Sequence, residues 1–305
     1  MRFKIYLVLV VALFSISSTS LIVRYVSSIP ALTLAFWRMF LSGVLLWLFS
    51  WASSKTNKNN SPKLNAVFIA GFFLGMHFSL FFLGIRETSV TNATLLACTG
   101  PIFTSLYSIL KKEKLLKGLY WGLFYALVGM CIIQVPNSNI EKSSIRGDLL
   151  CLLSGACIAI TFVYASRVRQ LTDSITYSKV AFIVAALTIG LTCFLFGTNP
   201  LIFNKEHVLW FFTLAIFPSI LGHNLLTYLL KYLSPTAVAA VPLGEPIIAS
   251  LLAFFFFSEN IPKNFYGEIG SLISGLVIRE FGILPGFLLT SILFIWSLKL
   301  FNETH

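Results

Sequence analysis

The sequence predicts an all-α integral membrane protein: ten transmembrane helices as two inverted five-helix repeats, with an extra apolar segment at the C-terminus. Three observations carry that expectation. Of the 305 residues, 57% are hydrophobic and only 11% charged, with mean hydropathy +0.87, whereas a soluble globule carries about 25% charged residues. Apolar runs long enough to cross about 30 Å of hydrocarbon recur along the chain. The two halves also match at a constant offset of 145 residues. The formal charge of +11 does not point to nucleic acid, because the basic residues fall mostly in short links between apolar runs.

The runs lie at 5–23, 31–51, 64–84, 89–110, 117–135, 147–166, 177–197, 208–230, 236–257 and 265–283. They do not alternate with period two, which excludes a strand barrel. The first follows Met1, Arg2, Phe3 and Lys4, a start like that of a signal peptide. It lacks a small-residue cleavage site and continues to Val23, so it is read as an uncleaved span. Lys and Arg divide thirteen to six between alternate sides of the runs, which places the N-terminus in the cytoplasm. Gly71 and Gly75, like Gly118 and Gly122, put small residues on one helix face for close helix contact. Cys98, Cys131, Cys151, Cys157 and Cys193 lie within apolar runs without CxxC spacing and read as small hydrophobes. Beyond Pro285, the sixteen apolar residues 286–301 are short for a span. They are expected along the inner surface or against the tenth helix.

The repeat is clearest where 89–133 pairs with 234–278 without a gap. Ser89 falls on Ser234, Thr91 on Thr236, Pro101 on Pro246, Ser105 on Ser250 and Gly122 on Gly267. His77 precedes Arg86 by nine positions, and His223 precedes Lys231 by eight. Five helices is an odd number, so the second half enters the bilayer upside down, as in secondary transporters with a site near the midplane. The expected units are 5–135 and 147–283, followed by the tail 284–305.

Polar groups inside apolar sequence concentrate between Ser219 and Pro262. Glu245 sits between Gly244 and Pro246, and His223 stands beside Asn224. An ionisable group in hydrocarbon costs a few kcal/mol and marks a functional site by default. By helical rise, Glu245 lies about 15 Å and His223 about 12 Å from the cytoplasmic ends of their helices, at similar depth. Glu245 is read as a proton-titrating or cation-binding group, against a purely packing role. His77 holds the mirror position of His223, nearer the outside. Arg38 lies about 10 Å below the outer surface, where anion binding or pairing with Glu245 competes with snorkelling, the slightly favoured reading. Pro242 and Pro246 free carbonyls one turn earlier, and Pro101 beside Gly100 breaks the mirror helix. The candidate substrate-binding or coupling residues are thus Glu245, His223, Asn224, His77 and Arg38. Gly100, Pro101, Pro242, Gly244 and Pro246 form the helix breaks. No phosphate loop, HExxH, GxSxG or metal-ligand cluster is present, so neither ATP-driven pumping nor a cofactor or metal is expected.

Several segments resemble the EamA-type transporters of the drug/metabolite transporter superfamily. They are RYVSSIPALTLAFWR (24–38), HFSLFFLGIRETSVTNATLLACTGPIF (77–103), GDLLCLLSG (147–155) and, most specifically, LGHNLLTYLLKYLSPTAVAAVPLGEPI (221–247). The resemblance implies ten helices in two inverted repeats, both termini cytoplasmic, in a bacterial inner membrane. It further implies alternating-access movement of a small metabolite, an amino acid or related compound, with export as the expected direction. The proton is the candidate coupling ion; the bilayer and the solute are the expected partners, nucleic acid is not, and a homo-oligomer stays open. Import of a nucleoside-containing or other host metabolite is the alternative. A reading of another class is an intramembrane enzyme using His223 and Glu245 as acid and base. The internal duplication argues against it, because alternating access explains a duplication and catalysis does not.

Overall fold

In a computed structural model, the structure describes residues 2–52, 64–88, 90–112, 144–245, 248 and 252. Among these, every regular element is helical: α1 (Arg2–Tyr25), α2 (Ala31–Ala52), α3 (Leu64–Glu87), α4 (Val90–Ala97), α5 (Gly100–Leu110), α6 (Ile145–Arg169) and α7 (Ser174–Leu195). They are followed by α8 (His207–Leu229), the short α9 (Pro235–Ala239) and a 3₁₀ turn, Val241–Gly244. Among the described residues, seven helices are long and apolar enough to cross a membrane, α4 and α5 counting together as Ala93–Leu110. The fifth and tenth expected spans, most of the ninth beyond Glu245 and the tail 284–305 lie outside the described residues.

The helix ends follow from local chemistry. Ser144 caps α6, its hydroxyl accepting from the Gly147 amide, and Asp173 caps α7, accepting from the Thr176 amide at 2.9 Å. Ser234 caps α9 with Pro235 in the first turn, where a missing N–H goes unneeded. α7 stops at Gly197, whose φ of +64° suits a glycine. The Thr198 amide returns to Cys193 O and the Gly197 amide to Phe194 O, closing the last turn. Within the spans, hydroxyls bond back one turn, Ser15 to Val11 O and Thr188 to Val184 O, so they need no water.

The chain divides into two compact units, 1–104 with 143–242, and 105–142 with 243–305. Each draws on both halves of the sequence. In the first unit α3 packs along α6 and α7, α2 packs on α7, and α1 packs on the middle of α8. Glycines permit the closest of these approaches. A Cβ on Gly71 would stand 2.8 Å from Ala181 O, and one on Gly75 2.7 Å from Ala185 O. Gly84 similarly faces Cys151 Sγ and Gly155 faces Leu96 O, at 2.4 and 2.9 Å from the added carbon.

Among the described residues, two spans are irregular. The run expected as one helix at 89–110 is interrupted at Cys98 and Thr99, just before Gly100 and Pro101. The Thr99 hydroxyl donates to Leu96 O at 2.6 Å and the Ile102 amide to Thr99 O at 2.9 Å, which closes the turn with local partners. α8 comprises α-helical His207–Leu214, π-helical Ala215–His223 and α-helical Asn224–Leu229. Pro218 lies inside the π stretch. Its ring supplies no amide for the i−4 carbonyl, that of Leu214, and crowds it, so the helix widens to i→i−5 bonding. The Asn224 amide accordingly reaches Ser219 O.

Candidate functional site

The widened turn of α8 is stitched to α2 by side chains. The Ser219 hydroxyl donates to Leu214 O at 3.1 Å, the carbonyl for which Pro218 has no amide. Its oxygen in turn accepts from Arg38 Nε at 2.9 Å. Ser42, one turn beyond Arg38, has Arg38 O as its nearer acceptor and also lies 3.2 Å from Ala215 O. Both serines are fully buried. A chain of bonds therefore runs from the guanidinium of α2 through Ser219 into the break in α8.

Arg38 is itself fully buried, at 0% exposure. The snorkelling favoured from the sequence does not occur: the side chain turns inward, because inside the unit it finds ready partners. Besides Ser219, Nη1 donates to Thr19 Oγ1 at 3.4 Å, and the guanidinium carbon lies 4.3 Å from the centre of the Phe78 ring. Such a cation–ring contact is worth up to about 2 kcal/mol when desolvated.

The two histidines expected at mirror positions come together beside it. The His77 and His223 rings are 6.4 Å apart at an angle of 59°. Phe78 meets His223 edge to face at 5.1 Å, so one phenyl ring touches both the guanidinium and an imidazole. His77 stacks on Phe81, and the charge of Arg38 reaches both imidazoles. His77 Nδ1 lies 3.0 Å from Ser154 O and 2.8 Å from Ser154 Oγ. With its proton on Nδ1 the ring donates to Ser154 O and leaves a lone pair on Nε2; with the proton on Nε2, Nδ1 accepts from the Ser154 hydroxyl.

The remaining candidates are placed as follows. Asn224 is buried next to His223, and its Oδ1 has no hydrogen-bond partner among the described residues. Gly100 is buried, a Cβ there meeting Ile158 Cγ2 at 3.2 Å. Pro242 lies in the 3₁₀ turn, its carbonyl accepting from Cys98 Sγ at 3.4 Å. Gly244 and Glu245 belong to the second unit, where Gly244 is buried and Glu245 half-buried. Pro246 lies outside the described residues. The first unit thus assembles Arg38, His77 and His223 into one cluster: a permanent cation, two imidazoles, and an aromatic face between them. Such a cluster can hold and orient a small polar solute.

The chain matches the model of the "EamA-like transporter family" twice, over residues 2–135 and 145–279. It belongs to the EamA-like transporter family. Its relatives carry transporter names. An uncharacterized transporter of Archaeoglobus fulgidus is 27% identical over 79% of this chain and 84% of its own length. The uncharacterized inner membrane transporter YedA of Escherichia coli K12 is 25% identical over 92% of this chain and 94% of its own. A solved crystal structure superposes with a TM-score of 0.75 over 92% of this chain and 97% of that one; at 15% identity the likeness is one of fold. This EamA-family protein is accordingly a multi-pass membrane transporter.

Three contributors to the site escaped the sequence reading: Ser219, Ser154 and the role of Pro218. Pro218 offered a signal, a proline inside an apolar run one residue before the polar stretch. Arg169 was missed as well. Counted with the loop charges, it closes α6 at 1% exposure, with Nε donating to Thr227 O at 2.9 Å and Nη1 to Thr172 O.

Proposed function

We propose that this protein is a secondary transporter that moves a small polar metabolite, an amino acid or related compound, by alternating access. Export across a bacterial inner membrane, with the N-terminus cytoplasmic, is the direction the reading adopts. Ten helices form two inverted repeats over 5–135 and 147–283. The Arg38, His77 and His223 cluster holds the solute, and Glu245 serves coupling. The observation that carries the reading is the convergence of these three side chains, from α2, α3 and α8, in the interior of a transporter-family unit. Guanidinium and imidazole offer fixed donors and an acceptor for a solute's polar groups.

The helix pairing supports the repeat. α1 lies on α8 as α6 lies on α3, and α2 meets α7 between them. Those are the partners expected when each half inserts its third helix against the first helix of the other.

Proteoliposomes test the function. Vesicles loaded with unlabelled amino-acid hydrolysate and diluted into a ¹⁴C-labelled hydrolysate should accumulate label by counterflow. Arg38→Ala should lose about tenfold or more of that exchange, as expected when a charged hydrogen-bonding group is removed from a solute. Absence of exchange by the wild-type protein would remove this substrate class. Chemical conversion of the label without counterflow would instead mark an enzyme.

A further inference from the structure

The feature of unit 1 that ordinary packing does not explain is the loss of regular hydrogen bonding in α8 beside Arg38. A π stretch gives up helical regularity, and such stretches are frequent at functional sites. Here the sequence of contacts is continuous. Pro218 withholds the amide that would bond Leu214 O. The Ser219 hydroxyl turns to that carbonyl at 3.1 Å, which fixes its proton on the Leu214 side. Its oxygen lone pairs are thereby presented to Arg38 Nε, at 2.9 Å. The Ser42 hydroxyl, whose nearer acceptor is Arg38 O one turn back, lies 3.2 Å from the neighbouring carbonyl, Ala215 O. Phe78 closes the opposite face of the guanidinium at 4.3 Å while also packing on His223.

We infer that Pro218 and Ser219 are positioning residues for solute binding: the proline opens the turn, and the serine it orients aims the Arg38 guanidinium. The inference rests on the reading of Arg38 as a solute-binding group. It makes a demand opposite to that of a merely structural turn. Restoring the amide with Pro218→Ala lets residue 218 bond Leu214 O and draws the segment toward a regular α-helix. That change stabilises a helix or leaves it unaltered. It also releases the Ser219 hydroxyl, so solute binding weakens while the fold does not.

The test uses the full chain in nanodiscs and proteoliposomes, with three readouts: the thermal midpoint, the Arg38 Nε–H resonance in ¹⁵N NMR, and counterflow of ¹⁴C-labelled amino-acid hydrolysate. The resonance is assigned by its absence in Arg38→Lys. Pro218→Ala is expected to keep or raise the midpoint and to lose the slowly exchanging Arg38 signal. The hydrolysate concentration needed for half-maximal exchange should rise about tenfold, the equivalent of one hydrogen bond to a charged group, at little-changed maximal rate. Ser219→Ala should do the same, and Ser219→Thr, which keeps the hydroxyl, should recover most of both signals. An unchanged Arg38 resonance and half-saturation in Pro218→Ala and Ser219→Ala overturn the inference. So does a fall in midpoint and maximal rate together, which marks a structural turn, or a Ser219→Thr no better than Ser219→Ala. Arg38→Lys exchanging like wild type defeats the solute-site reading instead, and the resonance then decides alone whether Ser219 holds the guanidinium.

Discussion

The contact between α3 and α7 gives a sharp quantitative test of the fold. A Cβ placed on Gly75 stands 2.6 Å from Thr188 Cβ, 2.7 Å from Ala185 O and 3.0 Å from Thr188 Cγ2. Ordinary carbon contacts begin near 3.4 Å, so Gly75→Ala needs a shift of several tenths of an ångström or more. The Thr188 side chain cannot supply it by rotation alone, because Cβ is fixed to the helix and the second obstacle is a backbone carbonyl. The two helices must separate. One turn earlier Gly71 makes the same approach to Val184 and Ala181 O, so parting the helices at Gly75 loosens that contact as well. Overpacking a well-packed interface costs about 1–3 kcal/mol, and lost dispersion along the seam adds to it.

For a chain of this size, about 2–4 °C of melting temperature corresponds to each kcal/mol. Gly75→Ala is therefore expected to lower the midpoint by about 2–12 °C in detergent, read by intrinsic tryptophan fluorescence. Gly190→Ala is the matched control. It adds the same methyl to a helical glycine, but its new carbon meets only Phe36 Cε2 at 3.4 Å and Cδ2 at 3.7 Å. It should melt like wild type or slightly higher, since alanine favours a helix. Equal midpoints for Gly75→Ala and Gly190→Ala would refute the close approach of α3 and α7.

Three further outcomes follow from named contacts. Arg169→Gln should destabilise by about 1–3 kcal/mol in chemical unfolding, because Thr227 O and Thr172 O lose a buried donor. The Asp173 carboxyl is held below its ordinary range: burial works to raise it, but hydrogen bonds from the Thr176 hydroxyl and from the Thr176, Asp173 and Ile175 amides outweigh that. A depressed folded value means its stabilisation is present above the unfolded pKa and fades as pH falls through the folded one. Asp173→Asn should therefore flatten the acid limb of the stability curve, and Asp173→Ala should cost about 1 kcal/mol at neutral pH. Glu245→Gln should reach the membrane at wild-type levels with hydrolysate exchange lost or no longer pH-dependent; normal exchange across a pH series would make that carboxylate structural.

The membrane spans were legible because a helix in lipid must satisfy its own backbone, so an apolar run of sufficient length has one stable form. The runs at 31–51 and 208–230 appear as Ala31–Ala52 and His207–Leu229, and the expected start of the third span at residue 64 matches Leu64. The small-residue pair Gly71 and Gly75 was legible for the same reason, since close helix approach needs a missing side chain wherever it occurs. Irregular backbone was harder. Whether a proline kinks, widens or merely starts a helix depends on which side chain takes the carbonyl it leaves, and at Pro218 that side chain is Ser219, engaged in turn by Arg38 from 181 positions away.

The same dependence explains why Arg38 and Arg169 were read outward and are found inward. Snorkelling and burial differ for an arginine by the partners available at each end of its reach. A sequence shows the stem length and the distance to the headgroups, but not whether a phenyl ring, a hydroxyl and a threonine wait on the inner side. For Arg38 all three are present in Phe78, Ser219 and Thr19. For Arg169 the partners are backbone carbonyls near the end of α8 and just past α6, which every helix terminus exposes. The two arginines thus differ in kind. Arg169 satisfies acceptors the helices leave regardless of function, so a neutral donor of similar reach can replace part of it. Arg38 is held by side chains that α8 must deform to supply, and a deformation retained in the middle of a span is explained by what it aims.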